Sequence, residues 1–150
     1  MITKHDDLLG TLIHDVAHLL RLNIDAQLKP FNLTRAKWLA LGILSRTPGL
    51  TQKQLAERLE LGQASTGRLV DRLQQRDYVE RRADDADRRV YRLFVTAQAS
   101  QVLQQLEQLS SNMYQQWLAD VPATQIDAVS QTLIRLKQSL LQCQEQADAG

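Results

Sequence analysis

Residues 50–96 read LTQKQLAERLELGQASTGRLVDRLQQRDYVERRADDADRRVYRLFVT, and the hydrophobic texture of this stretch changes twice along its length. Thr51 and Gln54 stand at the T-x-x-Q spacing of a capping box, where each side chain satisfies the other residue's backbone N–H, and Leu55, Ala56 and Leu59 follow at helical intervals. The pattern fails at Glu60, Leu61 and Gly62, where glycine suits a tight turn. It resumes from Gln63 through Leu69, Val70 and Leu73 to Arg76, so two short helices cross a tight turn as a helix-turn-helix. Beyond Asp77 the texture becomes that of strands. Tyr78 to Arg82 and Arg88 to Val95 are rich in β-branched and aromatic residues and flank the polar run Ala83 to Asp87, which predicts a β-hairpin. Period two puts Tyr91, Leu93 and Val95 on one face of its second arm and Arg92 on the other.

Working outward, Leu9, Leu12, Val16 and Leu19 recur three or four apart between Asp6 and about Leu28, broadened by Leu8, Ile13, Leu20 and Ile24. This long helix should end near Lys29, because Pro30 pushes its predecessor out of helical geometry. Thr34 can cap a second helix through Trp38, Leu41 and Leu44, which Pro48 and Gly49 stop. On the other side, Thr96 caps a long helix carrying Leu103, Leu106, Leu109, Met113 and Trp117, broken around Asp120, Val121 and Pro122. A last helix carries Ile126, Val129, Leu133, Leu136, Leu140 and Cys143 at alternating steps of three and four, the spacing of a helix-pairing seam, before a tail from Gln144 to Gly150. There are no internal repeats.

The fold class is therefore mainly α with a small β-hairpin wing. A winged helix-turn-helix lobe spans residues 34–96, helical dimerisation segments span 5–30 and 97–145, and the whole of 1–150 forms a single domain. The terminal helices offer more apolar surface than so small a lobe can cover, which points to self-association; a standard interface takes roughly 800 Å² from each partner.

Composition narrows the function classes. The formal charge of the 150 residues is only +1, yet residues 51–96 carry ten basic and eight acidic groups while 97–150 carry two and five. A local basic surface binds phosphate whatever the total, so nucleic acid stays open as a partner. The lone Cys143 excludes an internal disulfide and a Cys-rich metal framework, which suits the cytoplasm. The first residues, MITKHDDLLG, lack the apolar run and cleavage site of a leader, and nowhere do about eighteen apolar residues follow one another, so neither secretion nor a membrane partner is expected.

The second helix of the motif has the chemistry of a groove reader. Gln63, Ser65, Thr66 and Arg68 lie on its first turn and a half, with Arg72 and Arg76 at successive spacings of four. Short polar side chains reach base edges, long basic ones reach phosphates, and each good bidentate pair contributes roughly 1 to 3 kcal/mol of discrimination. Thr51, opening the preceding helix, joins the candidate contacts. The same face also fits an ordinary solvated helix surface, and an isolated DDADRR fits a solvated turn whose charges cancel. Directly after a helix-turn-helix, however, acids beside Arg88 and Arg89 make sense as partners that fix an arginine's direction, and an aimed arginine can enter a narrow minor groove.

The run from Leu50 to Thr96 resembles the core of the MarR family of winged-helix regulators, and LKPFNLTRAKWLAL, residues 28–41, is similar to the SlyA-like branch. The resemblance covers Leu8 to about Leu141 and is most specific at the wing, where Asp87, Arg89, Val95 and Thr96 match a D-x-R…[LIV]-T pattern. It implies a homodimer held by the first, fifth and sixth helices, with recognition helices in successive major grooves and wings in the flanking minor grooves. It further implies Arg89 as the minor-groove arginine, Asp87 as its orienting partner, and Ser65, Thr66 and Arg68 as recognition-helix contacts. A two-fold dimer would meet double-stranded DNA at a palindromic operator with half-sites about 34 Å apart, most simply as a repressor. Three positions depart from the pattern: Gly67 inside the recognition helix, Asp77 where glycine is usual, and Val90 after the wing arginine.

The same resemblance implies a pocket for small aromatic acids or other lipophilic ligands near His18, Arg21 and Trp38, where cationic and aromatic groups suit such molecules. Trp38 and the histidines equally fit packing roles. No cofactor is called for, and Cys143 on a C-terminal seam does not have the setting of a peroxide-sensing thiol. Two other classes compete. One is a helical metal-binding protein or enzyme using His5, His14 and His18, although no H-E-x-x-H, phosphate loop or nucleophile elbow accompanies them. The other is a winged-helix protein adaptor without DNA binding, against which the arginines at 68, 72, 88 and 89 speak.

Overall fold

Helix breakers set the element boundaries, as Pro30 shows first. The computed structural model describes residues 4–148, with side-chain surroundings given for 8–147. Helix α1, Lys4–Leu28, runs into a 3-10 turn at Lys29–Phe31 and stops at Asn32, whose left-handed backbone lets its N–H donate to Lys29 O. Thr34 Oγ1 accepts from Lys37 N and starts α2, Arg35–Arg46, which buries Ala40, Leu41 and Leu44 and ends before Pro48. Gly49 then takes φ +82, a conformation that an L side chain rarely adopts, and donates its N–H to Leu93 O.

The next element departs from the expected hairpin. Leu50–Thr51 forms a strand, β1, that pairs with β3, so the sheet has three antiparallel strands in the order β1-β3-β2, with β2 at Val79–Ala83 and β3 at Tyr91–Val95. Between β1 and β2 lie α3, Gln52–Leu59, and α4, Gln63–Gln74. After β3, Thr96 Oγ1 accepts from Ala99 N and begins α5, Ala97–Trp117, and α6 follows at Ala123–Asp148.

Two compact units divide the chain, residues 1–111 and 112–150. The first holds the core, whose largest fully buried apolar side chains are Leu28, Leu41, Leu44, Leu55, Val70, Leu73, Val79 and Leu93. Burying each contributes about 1.5 to 3 kcal/mol. Ile24 and Leu28 of α1 join this core, as do Ala99 and Leu106 of α5. The N-terminal helix, expected as a dimerisation segment, also packs Ile24 and Leu28 into the core of the winged lobe. Its other face stays open: Leu8, Leu12, Val16 and Leu19 remain about half exposed. In the second unit Tyr114 and Trp117 meet edge to face at 5.5 Å, and all residues from 127 to 147 are exposed.

Candidate nucleic-acid interface

The turn between α3 and α4 is built differently from its sequence expectation. Glu60 takes the left-handed conformation at φ 54, and Leu61 N donates to Ala56 O to close the end of α3. Gly62 is extended, at φ −62 and ψ 148, and serves as the N-cap of α4. The capping box at Thr51 forms as expected: Gln54 N donates to Thr51 Oγ1 at 3.3 Å, and Thr51 N donates to Gln54 Oε1 at 2.9 Å. Thr51 thus ends β1 and starts α3, half-exposed at the foot of the motif.

On α4, Gln63, Ser65, Arg68 and Arg72 are all exposed, and the last three follow at helical spacing along one strip. Arg68 Nη2 lies 3.5 Å from Ser65 Oγ, so a hydroxyl and a guanidinium stand together on this exposed strip. Thr66 is not part of this strip. It is fully buried beside Leu69, Val70 and Leu73, and its Oγ1 donates to Gly62 O at 3.1 Å. The expectation that Thr66 touches DNA is corrected: its position three, four and seven residues before those apolar side chains turns it into the core. Gly67, the unusual glycine, faces Gln52 so closely that an added Cβ would lie 3.1 Å from its Nε2.

At the wing, Asp84 N donates to Val90 O and Val90 N to Asp87 O, closing the tip. Asp87 Oδ1 accepts the Arg89 N–H at 3.0 Å and lies 3.6 Å from Arg89 Nε, while the Arg89 side chain is 95 % exposed. The carboxylate therefore fixes the backbone under the arginine and ion-pairs with its guanidinium, which stays exposed to solvent. Arg88 beside it is exposed as well. Tyr91, expected to share a face with Leu93 and Val95, is exposed at the outer end of β3, where it pairs with Ala83.

Three arginines at the root of the wing, Arg92, Arg82 and Arg81, have roles that the sequence did not show. Arg92 Nε pairs with Asp84 at 2.6 Å, and its Nη1 donates to Gly49 O at 2.9 Å, locking the hairpin to the loop before β1. That bond holds the Asp84 carboxyl below its ordinary pKa and raises that of Arg92. Arg82 pairs with Glu80 and lies 4.4 Å over the Phe94 ring. Arg81 reaches back to α4, with Nη2 on Asp71 at 2.7 Å. Near the start of α2, partial burial lowers the pKa of Lys37, and the positive charges of Arg76 and Arg72 lower it further. Lys37, which the sequence did not single out, therefore adds to the cationic surface of α4; only its position in space, not its spacing, reveals this.

His18 and Arg21 are exposed on α1 and Trp38 is half-buried against the core. None of the three lines the open cleft of 540 Å³ that the structure forms beside Asp25, Lys29 and residues 32–37, so the expected grouping of these three around a pocket is not what this cleft shows. His14 is exposed one turn before His18, while the His5 side chain falls outside the described residues. Among the described residues no three His, Cys, Asp or Glu side chains stand close enough to hold a metal ion, and no helix is long and apolar enough to cross a membrane.

A capped helix pair with a polar-basic strip, followed by a three-stranded sheet whose β2–β3 hairpin carries an exposed arginine, defines a winged helix-turn-helix protein. Residues 31–90 match the MarR family model. The fold extends the likeness to nearly the whole chain. A MarR family protein from Bacillus stearothermophilus superposes with a TM-score of 0.82 at 20 % identity, over 94 % of this chain and 99 % of the other. MepR, a transcription regulator of the Staphylococcus aureus multidrug efflux pump MepA, matches with a TM-score of 0.76 at 20 % identity, over 87 % and 97 %. MarR from E. coli matches with a TM-score of 0.72 at 23 % identity, over 85 % and 96 %.

Proposed function

We propose that the protein is a homodimeric transcriptional regulator, not an enzyme, that binds a palindromic operator in double-stranded DNA in the cytoplasm and acts as a repressor. The observation that carries this is the pairing of two exposed elements in one lobe: the Ser65–Arg68–Arg72 strip on α4 and Arg89 on a wing whose backbone Asp87 fixes. The first suits base edges and phosphates in a major groove, the second the strong negative potential of a minor groove. Gln63, Thr51 and Arg88 are the further proposed contacts, all at least partly exposed, and Lys37 with Arg72 and Arg76 would supply phosphate-binding charge. In support, one MepR mutant of similar fold was solved bound to an oligodeoxyribonucleotide. The uncovered apolar rows on α1 and α6 support the homodimer.

Titration of the purified protein against duplexes selected from random DNA tests the proposal. Log affinity should fall linearly and steeply with log salt, as expected when several phosphates are neutralised. Arg89→Ala should weaken binding by about 1 to 3 kcal/mol with the thermal unfolding curve unchanged. A flat salt response, or an Arg89→Ala protein that binds as tightly as the parent, overturns the assignment.

Modulation by a small aromatic or lipophilic acid is the finer part of the proposal. Lys29, Arg35 and Lys37 beside the cleft offer cations to a carboxylate, although Asp25 holds Arg35 at 2.9 Å. Thermal-shift measurements with a panel of aromatic acids should show stabilisation that Lys37→Ala removes; an inert panel removes this part and leaves DNA binding untouched.

A further inference from the structure

Arg81 is placed by the sheet register rather than by helix periodicity. It pairs across β3 with Leu93, which is buried, and cross-strand partners share a face, so the Arg81 side chain projects toward the helices and not toward solvent. There it meets three acceptors on two different helices. Nη2 donates to Asp71 Oδ1 at 2.7 Å and to Gln52 Oε1 at 3.4 Å, and Nη1 donates to Gln74 Oε1. Gln52 in turn packs against Gly67, so β2, the first turn of α3 and the middle of α4 meet at one guanidinium. Its side chain is only 25 % exposed, and both terminal nitrogens are already engaged. A planar fork with fixed donor directions transmits angle as well as distance, which a lysine ammonium does not.

We propose that Arg81 is a positioning residue that sets the angle between the wing and the recognition helix, so that Arg89 and the Ser65–Arg68 strip engage neighbouring grooves as one rigid body. This rests on the DNA-binding function proposed above. It also assigns Asp71, an acid on the recognition helix, a role opposite to its charge. By electrostatics alone, removing a carboxylate beside bound DNA strengthens binding. As the partner of Arg81, its removal releases the wing and weakens binding.

The experiment uses the full-length protein and a duplex that the wild-type protein selects from random DNA. Asp71→Asn and Arg81→Lys should each lower affinity about ten-fold, leave the salt slope unchanged, and lower it no further when combined, since both break the same contact. The effects of Arg68→Ala and Arg89→Ala should be coupled in the parent and additive in an Asp71→Asn background, a readout that general loss of stability does not move. Asp71 is largely exposed and Asn is isosteric, so the variant keeps its fold; circular dichroism checks this. Tighter or unchanged binding by Asp71→Asn overturns the positioning role alone. So does a salt slope that drops by about one in the charge-removing variant Arg81→Gln, which would make Arg81 a direct phosphate contact. A wild-type protein that selects no duplex overturns both this role and the DNA-binding function beneath it.

Discussion

Asp84 and Arg92 form the half-buried lock of the wing, and its pH dependence has a definite sign. The Asp84 pKa is held down, first by the hydrogen bond from Arg92, so the stabilisation is present above the ordinary carboxylate pKa and is lost as pH falls through the depressed value. Arg92 stays charged throughout. The lock should therefore hold at neutral pH and open only below about pH 4. Hydrogen exchange at the Gly49 amide, which is bonded to Leu93 O beside the lock, should accelerate in that acidic window. Asp84→Asn should bring the acceleration to neutral pH. Thr66 supplies a second residue-level test. Because its hydroxyl serves Gly62 O inside the core, Thr66→Val should cost about 0.5 to 1.5 kcal/mol of stability and leave operator preference unchanged, whereas Ser65→Ala should relax that preference. A shifted sequence preference in Thr66→Val would return Thr66 to the interface.

Within the recognition helix, Gly67 sets two effects against each other. Alanine there gains roughly 1 kcal/mol of helix propensity, but its Cβ would press on the Gln52 amide at 3.1 Å. The atom it meets is the tip of a flexible side chain, so Gly67→Ala should still raise stability, by roughly 0.5 kcal/mol in a denaturant titration; a loss would show that Arg81 pins Gln52 in place. The same elements show which features can be seen in a sequence. Thr34, the Thr51–Gln54 box and Thr96 are visible because a cap is made within three residues. The two-residue strand at Leu50 has no period to detect and exists only because β3 lies beside it. The contact of Arg81 with Gln52 spans 29 residues, and Lys37 meets the charges of α4 only after folding. Thr66 was legible and misread: counting back from Leu69, Val70 and Leu73 places it on the buried face, but its short polar side chain suggested a base contact. At the wing tip Asp87 and Arg89 bond within one turn, a contact short enough in sequence for the D-x-R spacing to display.

At the scale of the whole molecule the open question is what covers the apolar helices. Val129, Leu133, Leu136 and Leu140 follow at steps of four, three and four along α6 and are 36 to 58 % exposed, while α1 leaves Leu8, Leu12, Val16 and Leu19 about half exposed. Isolated exposed leucines are ordinary on a protein surface, but continuous rows of them mark an interface. A second copy of the chain carries the same rows, and a two-fold pairing would also supply the second recognition helix that a palindrome requires. Leu133→Asp would set a charge in the middle of the α6 row, far in sequence from the core of residues 1–111. Sedimentation equilibrium should then show a dimer for the parent and a monomer for the variant at micromolar concentration. The monomer should keep the helical circular dichroism of its winged lobe and lose affinity for the selected duplex by about 10²- to 10⁴-fold, because the second half-site is no longer bound as an intramolecular step. A Leu133→Asp protein that still sediments as a dimer would move the interface away from the α6 row. A parent that sediments as a monomer yet binds the duplex tightly would show that one lobe alone grips DNA, and the homodimer would then have no part in recognition.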